Sequence, residues 1–130
     1  MAYYILDKAY KITDSGGCEA YRVVVQGTNA GECAAPGAAN ADAILGVTVH
    51  SQDNQNHSVS VRKAGIARVT AASAISVGDA VNIADTDGKV KTVSETAGTM
   101  AKCLGFAETA AAADGDVIEV FISLHERETV

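Results

Sequence analysis

Two histidines, His50 and His57, flank the polar stretch SQDNQN and would face one another if that stretch turns a hairpin. Such a pair could begin a zinc site, but zinc takes four ligands and the nearest cysteine, Cys33, lies beyond a long loop. They read as exposed hairpin histidines. Cys18, in DSGGCE, sits beside a glycine turn, yet no basic residue accompanies it to lower its pKa. The stretch DTDGKVKTVSE has the outline of a calcium loop. With Gly88 in the sixth position Asp85 and Asp87 fit, but the first ligand position is then Ile83 and the twelfth is Ser94. Asp114 and Asp116 flank Gly115 as a solvated acidic tip, and His125 lies in the charged end HERETV. No GxSxG, phosphate-binding loop or dinucleotide fingerprint occurs. The residues that could do chemistry do not converge, so the expectation is no enzyme, no metal and no cofactor.

The elements that would position such residues are strands. The 130-residue chain suits one domain, and at 48% hydrophobic residues disorder is excluded. Aromatic residues are only 5% and Trp is absent, so the core must come from Val, Ile, Leu and Ala. A net charge of −6 opposes a phosphate-binding surface, and the basic groups (Lys8 and Lys11, Arg62 and Lys63, Lys89 and Lys91) are too small for a groove, which excludes nucleic acid. No window approaches a membrane span, and MAYYILDKAY is no signal peptide. Three scattered cysteines without a CxxC pair read as free thiols in a cytoplasm.

Short alternations bounded by Gly, Asn and Asp recur along the chain. YRVVVQG points Tyr21, Val23 and Val25 one way, HSVSV does so with Val59 and Val61, and DAVNIAD with Val81 and Ile83. VIEVFISL puts Ile118, Val120, Ile122 and Leu124 on one face. Apolar residues on both faces at places suit a small closed barrel that also packs against a neighbour. Asp87-Gly88 signals a two-residue type I′ hairpin. The Ala-rich runs at 34–43 and 110–113 read as compact loops, since four alanines cannot repay helix nucleation and Pro36 and Gly37 interrupt the longer run.

One pattern occurs twice. Leu45-Gly46 and Leu104-Gly105 are 59 residues apart, and the same offset takes Val47 to Phe106, Val59 to Ile118 and Val61 to Val120. Upstream the spacing differs by two residues. The expected architecture is all-β, a compact small β-barrel or β-sandwich built from two related strand-turn-hairpin units, about 20–66 and 78–124. Residues 16–124 would form the single β domain, 1–15 an extended N-terminal arm or a first strand, and 125–130 a polar tail.

The order ILGVTVHSQDNQNHSVSVRKAG, GIARV, AISVGDAVNIADTDGKV and AGTMAKCLGFAETAAAADGDVIEVFISL resembles the capsid cement or head-decoration proteins of tailed bacteriophages over roughly residues 20–124. The positions that carry the resemblance are turns and bulges: Gly46, Gly65, Gly78, Asp79, Asp87, Gly88, Gly105, Gly115 and Asp116. The resemblance implies a structural virion protein on the capsid surface, assembled in the host cytoplasm. It would bind the major capsid protein and cement neighbouring subunits as a homo-oligomer, a trimer by preference. For such a chain Tyr3, Tyr4, Ile5, Leu6 and Tyr10 are the candidate partner contacts, because they are costly to leave exposed and an extended arm could add a strand to a shell protein's sheet. The same segment could equally be the domain's first strand. A phage tail or baseplate component, and a small β-barrel that binds a ligand on its loops, are the alternative readings.

Overall fold

Short apolar runs cut by Gly, Asn and Ala-rich loops leave no room for a helix, and none forms among the described residues. The computed structural model describes residues 4–130, with side chains from Leu6 onward. Its strands are β1 (Tyr4–Ile12), β2 (Val23–Gln26), β3 (Glu32–Ala34), β4 (Ile44–Thr48), β5 (Ser58–Thr70), β6 (Ala80–Ile83), β7 (Val90–Thr92), β8 (Met100–Ala107) and β9 (Val117–Glu128). The order β1-β3-β2-β4-β5, with β5 pairing back to β1, closes a five-stranded barrel. The long strand β5 then leaves that barrel and opens a second ring, β5-β9-β8-β6-β7, which returns to β5 through a parallel bridge between Ala71 and Val90.

The two rings have the same hydrogen-bond register. Moving 59 residues along the β1–β5 ladder gives the β5–β9 ladder: Asp7 opposite Arg62 becomes Ile66 opposite Phe121, and Lys11 opposite Ser58 becomes Thr70 opposite Val117. Val47 opposite Arg62 in the β4–β5 ladder becomes Phe106 opposite Phe121 in the β8–β9 ladder. Val24 faces Gly46, and Val81 faces Gly105; a register break follows each pair. The closing contacts repeat as well. Ile12 beside Cys33 corresponds to Ala71 beside Val90, and the bridge Cys18–Gln52 corresponds to Ile75–Ala111. The repeat therefore begins at Asp7, earlier than the units expected from sequence, because β1 is the counterpart of the second half of β5.

Several expectations change here. The N-terminal segment from Tyr4 onward is the barrel-closing strand β1, not a projecting arm. The strand β9 runs past Leu124 to Glu128, pairing His125–Glu128 with Met100–Cys103, so the end of the chain is mostly strand rather than a polar tail. On β9 this stretch is largely exposed, Leu124 included, while Ala101 and Cys103 of the paired β8 stay buried. Asp87-Gly88 is no two-residue turn. Ala84 N–H bonds the Lys89 carbonyl around a longer loop in which Gly88 has positive φ and Asp87 does not. Tyr21 sits at φ 64°, so the alternation expected through Val23 and Val25 breaks and Val23 and Val24 are both buried.

The first barrel is filled by Tyr10, Ile12, Val24, Cys33, Val59 and Val61. The second is filled by Val69, Val81, Val90, Leu104, Ile118 and Val120, and Val23 and Val47 on the outside of the first barrel pack onto it. Gly88 seals this junction, its carbonyl oxygen accepting from Val23 N–H at 2.8 Å.

A polar strap crosses the same junction. Asn40, from the Ala-rich loop between β3 and β4, accepts at Oδ1 from Lys102 N–H (2.8 Å) and Asn82 Nδ2 (3.1 Å) and donates from Nδ2 to the Met100 carbonyl (3.0 Å). Its backbone N–H bonds the Ile83 carbonyl. Asn82, fully buried, also donates to Glu95 Oε1 at 2.6 Å, and Lys91 Nζ meets the same oxygen at 2.5 Å. Burial alone would push the Glu95 carboxyl up. The hydrogen bonds from Lys91 and Asn82 and the Lys91 charge outweigh it and hold the group below its usual range near 4.5. A depressed carboxylate stabilises the fold above its unfolded pKa, and that stability is lost as the pH falls through the folded value. Glu95→Gln is expected to lower the melting temperature at pH 7 by a few degrees while flattening its decline below about pH 4.5. Melting curves from pH 7 to pH 3 check this, and an unchanged acid slope would contradict it.

Candidate functional site

Most of the residues that could have done chemistry hold the backbone or one another. Both ring nitrogens of His50 meet backbone groups. Its Nδ1 lies 2.9 Å from the Ser51 carbonyl and its Nε2 accepts from Ser60 N–H at 3.1 Å, which fixes the Nδ1–H tautomer and ties the end of β4 to β5. Asp85 Oδ1 accepts from the amides of Asp87 and Lys89, closing the loop where a calcium site had been considered. Asp116 Oδ2 accepts from Ala112 and Ala113, and Asp79 Oδ2 from Ser76 N–H and Thr92 Oγ1. Asp114 pairs with Lys89 at 2.9 Å. His125 is not in a surface tail: it stacks on Phe106, ring centroids 5.1 Å apart and 11° from parallel.

A cavity of about 460 Å³ lies where the rings meet, with Asp14, Cys18, Glu19, Arg22, Asp53 and Asp87 among its lining residues. Arg22 spans it, pairing with Glu19 at 3.0 Å and donating to the Asp87 carbonyl at 3.2 Å. Among the described residues no three His, Cys, Asp or Glu side chains are grouped so as to hold a metal ion. The thiols are poor nucleophiles. Burial, with smaller contributions from the nearby Cys18 and Asp14, pushes Cys33 up to about 12, and burial also raises Cys18 and Cys103. Thiolate, not thiol, attacks disulfide reagents. Titration of the folded protein with an aromatic disulfide at pH 8 is expected to show Cys33 and Cys103 reacting only after denaturant is added. Rapid reaction of all three native thiols would contradict the packing described.

Of the candidate partner contacts, Tyr3 lies outside the described residues, as do the side chains of Tyr4 and Ile5. Leu6 is 51% exposed. Tyr10 is buried inside the first barrel, its hydroxyl 2.6 Å from Lys63 Nζ and its ring under Lys8 and Lys63. The turn residues fare differently. A Cβ on Gly46 would stand 2.1 Å from the Arg62 carbonyl oxygen, and one on Gly105 would stand 1.9 Å from that of Phe121, the matching position in the other ring.

Sequence reading passed over a set of half-buried and exposed residues. On the outer face of β5, β9 and β8, Ile66 stands opposite Phe121 and Phe121 opposite Phe106. Phe121 is 46% exposed. Arg68 is exposed beside Ile66, Arg62 Nη1 reaches the Ile66 carbonyl at 3.4 Å, and Arg127 lies over the Phe106 ring at 5.7 Å. The available signal was Phe121 itself, a large apolar residue on the face of VIEVFISL opposite Ile118, Val120 and Ile122.

The described fold is two β-rings built on one repeated register. The chain belongs to the phage cement protein family, whose pattern matches residues 8–122, and is thus a phage structural protein. Its fold is similar to that of the N base of the head fiber gp8.5 of bacteriophage phi29, with a TM-score of 0.64 and 21% identity over 96% of this chain and 97% of that one. No curated protein sequence matches it.

Proposed function

We propose that this chain binds the outer surface of a phage capsid and cements neighbouring copies of the major capsid protein, stabilising the mature head. The observation that carries this reading is the family match over residues 8–122. A cement protein occupies repeated sites on a preformed shell, so each contact can be modest while many copies together resist opening. About 800 Å² buried per partner is sufficient for a specific site. Shell symmetry favours a closed homo-oligomer, of which a trimer is the form proposed here. The net charge of −6 keeps decorated particles dispersed. The protein acts in the virion, on the capsid surface, after assembly in the host cytoplasm.

Co-sedimentation with phage heads stripped of the protein, beside unexpanded heads, tests the reading. Saturable binding at a fixed ratio to the shell protein is expected. Failure to bind either form would overturn it in favour of a tail component or a ligand-binding module.

A further inference from the structure

We propose that Lys91 and Asn82 are the two ends of an intramolecular isopeptide bond, formed by the chain itself across β6 and β7 with Glu95 as the catalytic group. In the structure the two side chains are unlinked, so the geometry is that of the site before reaction.

The three side chains meet at one atom. Asn82 and Lys91 stand directly opposite one another in the β6–β7 ladder, which puts both side chains on one face of the ribbon. Glu95 Oε1 accepts from Lys91 Nζ at 2.5 Å and from Asn82 Nδ2 at 2.6 Å. The attacking and the leaving nitrogen of an amide transfer thus touch the same carboxylate oxygen. Asn82 is fully buried, and the Lys91 and Glu95 side chains are only 19% and 15% exposed, so the site is largely shielded from water. A second acceptor for Asn82 Nδ2, Asn40 Oδ1 at 3.1 Å, fixes which end of the amide faces Glu95.

Proton transfer through Glu95 is sufficient for the reaction. Glu95 first takes a proton from the Lys91 ammonium, leaving a neutral amine. Nζ then adds to Asn82 Cγ, and the bond from Cγ to Nδ2 breaks as Glu95 passes its proton to the departing nitrogen. Glu95 finally takes one of the two protons left on Nζ. The products are a secondary amide, free ammonia and the Glu95 carboxylic acid. No electrons are exchanged and no co-reactant enters. An ammonium and a carboxylate, both costly to hold away from water, are replaced by neutral groups.

The repeat shows that the fold does not demand these side chains. At the equivalent ladder position of the first ring, Val25 stands opposite Ala34. The polar trio carries a desolvation cost that this apolar pair avoids. Asn82 Oδ1 is buried without a hydrogen-bond partner among the described residues, which a purely structural network would supply.

The intact mass of the purified protein, followed through prolonged incubation in mildly alkaline buffer, tests this. Wild-type chains are expected to become lighter by one ammonia. Tryptic digestion should then give residues 69–89 joined to residues 90–102, uncut at Lys91. Lys91→Arg keeps the charge but cannot form the amide, and Glu95→Gln cannot carry the proton, so both should keep their full mass. Melting curves establish that each variant is folded, and Lys91→Arg decides the matter if Glu95→Gln is not. Wild-type chains that keep their full mass would overturn the inference. Ammonia lost equally from Lys91→Arg would place the reaction elsewhere and overturn it too. Capsid binding enters none of these readouts, so failure here leaves the cement reading untouched.

Discussion

Gly105→Ala is expected to lower the melting temperature by more than ten degrees, or to prevent soluble folding. Gly105 is not held at positive φ, so backbone preference gives no warning of this. The cause is contact. The new Cβ would stand 1.9 Å from the Phe121 carbonyl oxygen and 2.9 Å from Ser123 N. Both are backbone atoms of β9, the neighbouring strand, and neither can withdraw without opening the β8–β9 ladder. Overpacking that forces a backbone shift costs about 3 kcal/mol or more, against a total stability of about 5–15 kcal/mol. At this chain length each kcal/mol moves the melting temperature by roughly 3–6 °C. The matching Gly46→Ala, 2.1 Å from the Arg62 oxygen, should behave alike. Gly115→Ala is the contrast: it has φ +95° but nothing within 4 Å, so only conformational strain of about 1–2 kcal/mol is expected. Calorimetry of the three variants checks the order, and a Gly105→Ala protein as stable as Gly115→Ala would contradict the described register.

Asn40→Ala is expected to cost about 2–4 kcal/mol, more than truncating an ordinary loop residue. Three side-chain hydrogen bonds disappear together, to Lys102, Asn82 and Met100. The buried Asn82 amide loses a partner inside the junction, and an orphaned polar group there costs its desolvation. Asn40 also sits at φ 57°, which asparagine tolerates better than alanine. Asn40→Gly separates the two causes by relieving the backbone while still removing the side chain. Most of the loss should persist in Asn40→Gly when both are compared by urea denaturation. Recovery of wild-type stability in the glycine variant would show that backbone strain, not the strap, sets the effect.

The all-β class was legible because alternation and turn residues act locally. The Leu-Gly echo was legible because Gly46 and Gly105 are demanded by a close approach that no other residue tolerates. Most of the repeat was not. From Asp7 to Lys11 the ladder of β1 with β5 matches that of β5 with β9, yet DKAYK and IARVT share almost nothing, since ladders are made by backbone groups indifferent to side chains. That is why β1 could pass for an arm. The end of β9 was obscured for a related reason: HERE has no apolar alternation, and its pairing with β8 is held by backbone bonds and by the stacking of His125 and Arg127 on Phe106. The exposed stripe escaped notice because Phe106 and Phe121 belong to strands, and which strand face stays open depends on how the second ring sits on the first. The Asn40 strap is equally silent in sequence, joining residues 42 and 62 positions apart.

The most direct test of the account is the temperature at which heads release their DNA, followed by a dye that fluoresces only on exposed DNA. Heads stripped of the protein are compared with the same heads resaturated with it. A cement protein raises the release midpoint in proportion to occupancy, reaching a plateau when its sites are full. Full occupancy with no change in the midpoint would contradict the cementing role and leave a bound protein that decorates the head without strengthening it.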